Sequence, residues 1–144
     1  MSQAAVPHHH FPTVLTTLEC APLPELARPI RDFVTRTARH LAASDETAET
    51  ARLLVGELVA NAVVHSRAAG LIRVEVLHDP ECGHLIVSVQ DRGAVVPKIP
   101  ADVRPALDDE SGRGLAFVHS LSAECGVVAC AGGGKRVWFA LSLN

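Results

Sequence analysis

Three polar residues, Glu57, Asn61 and His65, recur at intervals of four. In an α-helix this spacing places their side chains along one face. The residues predicted to flank this polar stripe are aliphatic: Leu53 and Val64 on one side, Leu54 and Leu58 on the other. A carboxylate and an amide among apolar side chains need polar partners, which a metal ion, phosphate groups or a reacting hydroxyl would supply. The alternative is that Glu57 and Asn61 are surface or internally paired residues and that His65 is structural.

A second candidate group is Asp91 with Gly93, which end a run of alternating apolar residues. An ionised aspartate at the end of a strand can accept a hydrogen bond from an exocyclic amine such as that of adenine. The glycine would let the backbone turn sharply beside the base. Ordinary turns also use both residue types, so the pair alone leaves the alternative of a simple turn open.

A third candidate group is the glycine pair in Ser111-Gly112-Arg113-Gly114-Leu115, which lies where an irregular segment meets a helix predicted from Arg113 to Leu121. Glycines at a helix N-terminus let backbone N–H groups approach an anion, and the helix dipole favours phosphate there. The segment before it, residues 92–111, holds three prolines and no sustained period. Such a long irregular segment is typical of a functional loop, and we predict a lid there.

These groups need a scaffold, and hydrophobic periodicity predicts one. Strands are predicted at 11–19, 71–78, 84–91, 123–130 and 135–143, and helices at 24–43, 44–66 and 113–121. This order predicts an α+β fold, a two-layer sandwich whose mixed, mostly antiparallel sheet has helices on one face. Residues 1–10 are predicted to be a flexible N-terminus, and residues 11–144 a single domain.

The composition of the chain argues against several classes of function. The formal net charge is −3, and no basic cluster is present, which argues against direct binding of nucleic acid. No apolar run approaches the roughly 20 residues of a membrane span, so we expect a cytoplasmic protein without membrane contact. The four cysteines form no CxxC pair and have no matching histidine spacing, so we expect reduced thiols rather than a zinc site.

In chain order, Glu57–His65, Asp91-Arg-Gly93, Ser111–Leu115 and Gly134–Phe139 resemble the motifs of GHKL (Bergerat-fold) ATPases. They are most similar to the short anti-sigma-factor serine/threonine kinases and their actinobacterial relatives, over about residues 20–143. The roles that the resemblance implies are a general base, Glu57; a Mg²⁺ ligand, Asn61; an acceptor for the adenine amino group, Asp91; and a phosphate-binding turn, Gly112, Arg113 and Gly114. Gly93 and Leu115 complete the implied nucleotide site.

The implied function is an ATP- and Mg²⁺-dependent protein serine/threonine kinase that regulates transcription. Its implied partners are an anti-anti-sigma protein of the STAS type, which it phosphorylates, and a sigma factor, which it sequesters; a homodimer is also implied. Two positions depart from the pattern: Val95 replaces a second glycine, and Lys135-Arg136 stand where the closing strand often has threonine. The departures keep open the alternative of a non-catalytic, nucleotide-dependent binding module. A histidine kinase is disfavoured, because nothing before Pro22 is expected to form a dimerising helix.

Overall fold

The computed structural model describes residues 12–66, 70–93 and 110–143, with side chains from residue 114 onward in the last range. The predicted flexible N-terminus, residues 1–10, lies outside the described residues. So does most of the predicted lid at 92–111, including Val95.

Five strands and three α-helices make up the described residues. In chain order they are β1 (Thr13–Cys20), α1 (Ala27–His40, after a 3₁₀ turn at Pro24–Leu26), α2 (Asp45–Ser66), β2 (Ile72–Asp79), β3 (His84–Asp91), α3 (Glu110–Leu121), β4 (Glu124–Ala129) and β5 (Lys135–Ser142). The strands form one sheet in the order β1-β2-β3-β5-β4, and each neighbouring pair is antiparallel. The predicted α+β two-layer fold is confirmed, with an open antiparallel sheet.

The longest helix, α2, carries the polar stripe, and local sequence determines where it begins. Ser44 Oγ accepts a hydrogen bond from the Thr47 backbone N–H at 3.1 Å. This bond satisfies one of the free donors at the helix start and contributes about 1 kcal/mol. Asp45 and Glu46 lie in the first turn, where negative charge interacts favourably with the helix dipole.

The core lies between one face of the sheet and the helices. Alternate residues of the three central strands point into it and pack against aliphatic residues of α1 and α2. Its buried members include Ile30, Val34, Leu54, Val55, Leu58, Val59, Val74, Val76, Val87, Val89, Val137 and Phe139. The helix α2 packs on β3 and β5, and its end at His65 lies against Gly93, which follows β3.

The third helix starts earlier than predicted. The sequence predicted a turn through Gly112 and a helix from Arg113, because glycine is a poor helix former. In the structure α3 begins at Glu110, so Gly112 and Gly114 lie inside its first turns. The packing of α3 against α2 accounts for a helix in spite of the glycines, since tertiary contacts override intrinsic propensity.

Candidate functional site

The polar stripe of α2 forms as predicted, but its surroundings differ on one side. Leu54 and Leu58 are buried. Leu53 and Val64, which were predicted to enclose the stripe from the other side, are instead 48% and 51% exposed, so that prediction is wrong. Helical periodicity locates a face but cannot show which neighbouring element covers it.

Asn61, in the middle of the stripe, is 6% exposed. Its Oδ1 and Nδ2 atoms are both buried, and neither has a hydrogen-bond partner among the described residues. A buried amide without partners costs about 1–3 kcal/mol, so native proteins rarely retain one without a reason. An unpaired amide at this position is therefore a candidate ligand-binding group.

Glu57 lies one turn before Asn61 and contacts α3 at Gly114. A Cβ atom added to Gly114 would overlap the Oε2 atom of Glu57 and would lie 3.3 Å from its Cδ atom. Only glycine therefore fits at this position with Glu57 in its observed orientation. Glu57 is half-buried and also lines a surface cleft of about 390 Å³ whose other lining residues are Arg31, Glu49, Arg52, Leu53, Gly56 and Ala60.

Asp91, at the end of β3, is 1% exposed, and both of its carboxylate oxygens have a close neighbour. The backbone N–H of Gly93 donates a hydrogen bond to Oδ1 at 2.8 Å. Lys135 Nζ lies 2.8 Å from Oδ2, and the side chain of Lys135 is 0% exposed. These positions face each other across the antiparallel β3–β5 pair. Sequence reasoning singled out both residues but did not pair them.

Gly93 joins this end of the sheet to the end of α2. A Cβ atom at Gly93 would overlap the backbone carbonyl oxygen of His65. His65 is half-buried, and its Nδ1 atom is buried without a partner among the described residues. Burial lowers the pKa of His65, and Lys135 lowers it further, while Asp91 acts in the opposite direction. His65 therefore lies within electrostatic reach of the buried ion pair.

The described structure brings several of the predicted site residues into contact. Glu57 of α2 lies beside Gly114 of α3, and the end of α2 at His65 lies against Gly93, which donates a hydrogen bond to Asp91. Leu115 is 3% exposed and its side chain belongs to the core, so only its backbone could contact a nucleotide. The side chain of the predicted residue Arg113 lies outside the described residues.

The family model described as the histidine kinase-like ATPase domain matches residues 20–141. The chain belongs to this family. The predicted GHKL resemblance is therefore confirmed, and the histidine kinase-like ATPase domain is an ATP-binding module.

Two solved structures are similar to this histidine kinase-like ATPase domain. One contains the RsbU and RsbW domains of Rv1364c from Mycobacterium tuberculosis; it is 22% identical, has a TM-score of 0.65 and matches 89% of this chain and 32% of the other. The second is the histidine kinase domain of a blue-light activated histidine kinase from Erythrobacter litoralis EL346, with 25% identity, a TM-score of 0.48 and 85% and 61% coverage. The chain thus spans about a third of the first protein and three fifths of the second. A search of curated proteins gave no match.

None of the described helices has both the length and the apolar character that crossing a membrane requires.

Proposed function

We propose that this ATP-binding domain is an anti-sigma-factor kinase. It binds Mg·ATP, transfers the γ-phosphoryl group to a serine or threonine of a STAS-type anti-anti-sigma protein, and sequesters a sigma factor. The observation that carries the proposal is the pairing of two unusual features on α2. Asn61 presents a buried amide that has no hydrogen-bond partner in the described part of the chain, and Glu57, one turn earlier, holds a carboxylate against Gly114. The order of motifs described above supports the choice of substrate and partners.

The residues present fit a magnesium ion. Mg²⁺ prefers oxygen ligands, and it is commonly bound by one or two protein groups together with phosphate oxygens. The Oδ1 atom of Asn61 is such a group, and it has no other partner among the described residues. When bound, the ion neutralises charge on the phosphate oxygens. Asn61 would hold the ion, and its burial in the fold fixes its position.

Glu57 is the proposed general base. In the proposed reaction the substrate hydroxyl attacks the γ-phosphorus and gives its proton to the Glu57 carboxylate. The bond from the γ-phosphorus to the bridging oxygen breaks, and ADP leaves with that electron pair. Phosphoryl transfer depends mainly on positioning, and the contact with Gly114 fixes one side of Glu57.

The role of Asn61 can be separated from a structural one by Asn61→Leu. Leucine has a similar shape and removes two unpaired polar atoms, so the melting temperature should stay constant or rise. Affinity for ATP in the presence of Mg²⁺ should fall by about tenfold or more, because a charged interaction contributes about 1.5–3 kcal/mol. Calorimetric titration and thermal unfolding measure the two quantities. Loss of stability with unchanged nucleotide affinity would assign Asn61 a structural role instead.

The role of Glu57 is tested by Glu57→Ala, with Glu49→Ala as the matched control. Glu49 lies two turns earlier on the same helix, and its side chain is 62% exposed. We expect Glu57→Ala to retain ADP affinity and to lower phosphoryl transfer by about 10²–10⁴-fold. Glu49→Ala should leave both unchanged. Equal transfer rates for the folded wild type and Glu57→Ala would refute the proposed mechanism.

One observation favours a second candidate, a non-catalytic module that uses nucleotide only as a regulatory ligand. Both oxygens of Asp91 already have neighbours within the protein, the Gly93 N–H and the Lys135 ammonium. A site of this kind can be ordered without nucleotide, and a regulatory role for it does not require that ATP be consumed. The Glu57→Ala experiment separates the two candidates, because a purely regulatory site shows no phosphoryl transfer in any variant.

A further inference from the structure

Lys135, the first residue of β5, is unusual because a lysine is fully buried there. It is one of only two lysines in the chain, and it is 0% exposed. Lysine is almost never fully buried unless its charge is paired. Its Nζ atom lies 2.8 Å from Asp91 Oδ2, across directly paired positions of β3 and β5. The two residues thus form a buried pair of opposite charges on adjacent strands.

The pair does not satisfy its own hydrogen-bonding capacity. An ammonium group has three N–H donors. Although Asp91 is close enough for an ion pair, Lys135 Nζ makes no well-aligned hydrogen bond with any described residue. The Asp91 carboxylate accepts one hydrogen bond from Gly93, and a carboxylate can accept about four. Both an unused donor and an unused acceptor are therefore available side by side.

Stability alone does not account for this arrangement. A buried ion pair is often no more stable than two apolar residues of similar size, because burying both charges costs as much as their attraction returns. Free donors make the cost higher, because each unfilled group loses its hydrogen bonds to water. Two further buried polar groups without described partners lie on the neighbouring face of α2, the Asn61 amide and His65 Nδ1. Such a group of unfilled polar atoms is expected where a polar ligand completes the bonding.

We propose that Lys135 is a specificity-determining residue of the nucleotide site, whose ammonium donates a hydrogen bond to ring nitrogen N1 of adenine while Asp91 accepts one from the adjacent 6-amino group. This inference rests on the proposed function, because it adds a second recognition point to the same base site. Adenine carries a donor and an acceptor side by side on this edge, and the Asp91–Lys135 pair carries the complementary acceptor and donor. Asp91 alone would recognise only the amino group.

The most direct experiment needs no variant. Calorimetry on the full chain with Mg²⁺ compares ADP with 1-deaza-ADP, in which N1 is replaced by C–H and the 6-amino group is kept. We expect 1-deaza-ADP to bind about 10- to 100-fold more weakly, as for the loss of a charge-assisted hydrogen bond. GDP should also bind more weakly than ADP. Equal affinities for ADP and 1-deaza-ADP would overturn the assignment of Lys135, and so would GDP binding as tight as ADP.

A variant then connects the effect to Lys135. Lys135→Met removes the ammonium, and the double variant Asp91→Asn with Lys135→Met avoids leaving an unpaired buried carboxylate, so that at least one folded protein is available. In either variant ADP and 1-deaza-ADP should bind with about equal affinity. A preference for ADP that persists without Lys135 would contradict the assignment. Absence of ADP binding to the folded wild type would instead overturn the proposed function, together with this inference.

Discussion

Breaking the Asp91–Lys135 ion pair should destabilise the domain far more than breaking an exposed pair of the same length. At 2.8 Å and an effective dielectric constant of about 20, the attraction between the two charges is about 6 kcal/mol. Much of this is offset by the cost of burying both ions, so the net contribution of the pair is small. Lys135→Met removes only one charge and leaves the Asp91 carboxylate buried. We therefore expect a loss of about 3–5 kcal/mol in the free energy of unfolding.

The structure offers a matched control. Arg73 Nη2 and Glu19 Oε1 are also 2.8 Å apart, but their side chains are 47% and 44% exposed. Arg73→Met should change the free energy of unfolding by less than about 1 kcal/mol. Urea unfolding measures both variants, and the melting temperature of Lys135→Met should fall by roughly 10–20 °C.

A double variant tests whether the lost stability comes from the unpaired buried charge. Asp91→Leu with Lys135→Met removes both charges and should recover most of the lost stability, because a buried apolar pair is as stable as a buried ion pair or more so. The reasoning is refuted if Lys135→Met and Arg73→Met are equally stable. It is also refuted if the double variant is less stable than Lys135→Met.

Three further predictions follow from contacts in the site. Gly114→Ala places a methyl group against Glu57. Phosphoryl transfer should therefore slow by about 10²-fold at nearly constant ADP affinity, and steady-state kinetics should show no further loss in a Glu57→Ala background. An additive loss of rate would contradict the contact. In Gly93→Ala the added methyl group overlaps the backbone carbonyl of His65, which cannot move aside as a side chain can. The free energy of unfolding should therefore fall by about 1–3 kcal/mol. An unchanged melting temperature would contradict this prediction. Burial, reinforced by Lys135, lowers the pKa of His65, so below about pH 6.5 the unfolded chain binds a proton that the folded chain does not. Stability should therefore fall as the pH drops from 7.5 to 5.5, and His65→Gln should reduce this slope in urea unfolding; an identical slope would refute the assignment.

Local signals predicted most of the fold. The helical period located α2, which begins at Asp45 and ends at Ser66, and alternation located β3 at His84–Asp91. The start of α3 was missed because glycine propensity indicated a turn, whereas the structure has a helix packed on α2. The exposure of Leu53 and Val64 also depends on which elements cover α2, and helical periodicity contains no such information.

Part of the site depends on pairing between distant segments. Residues Glu57 and Asn61 were recognisable from their spacing on a single helix. The partnership of Asp91 with Lys135 requires that β5 lie beside β3 in a specific register, across 43 intervening positions. One signal was present in the sequence: opposite charges at the end of one predicted strand and the start of another, which antiparallel pairing can bring together. Only the sheet order selects this pair among the alternatives.

In the proposed function, this domain transfers a phosphoryl group to a hydroxyl group of another protein. The most direct measurement is transfer of label from [γ-³²P]ATP to purified STAS-type proteins in the presence of Mg²⁺, with Glu57→Ala and Glu49→Ala measured in parallel. We expect the wild type and Glu49→Ala to label the STAS-type protein, and Glu57→Ala not to label it. The label should survive acid treatment, because a serine or threonine phosphoester is stable in acid. Wild-type protein that binds ATP but labels none of these proteins, or that produces only acid-labile phosphate, would contradict the proposed function.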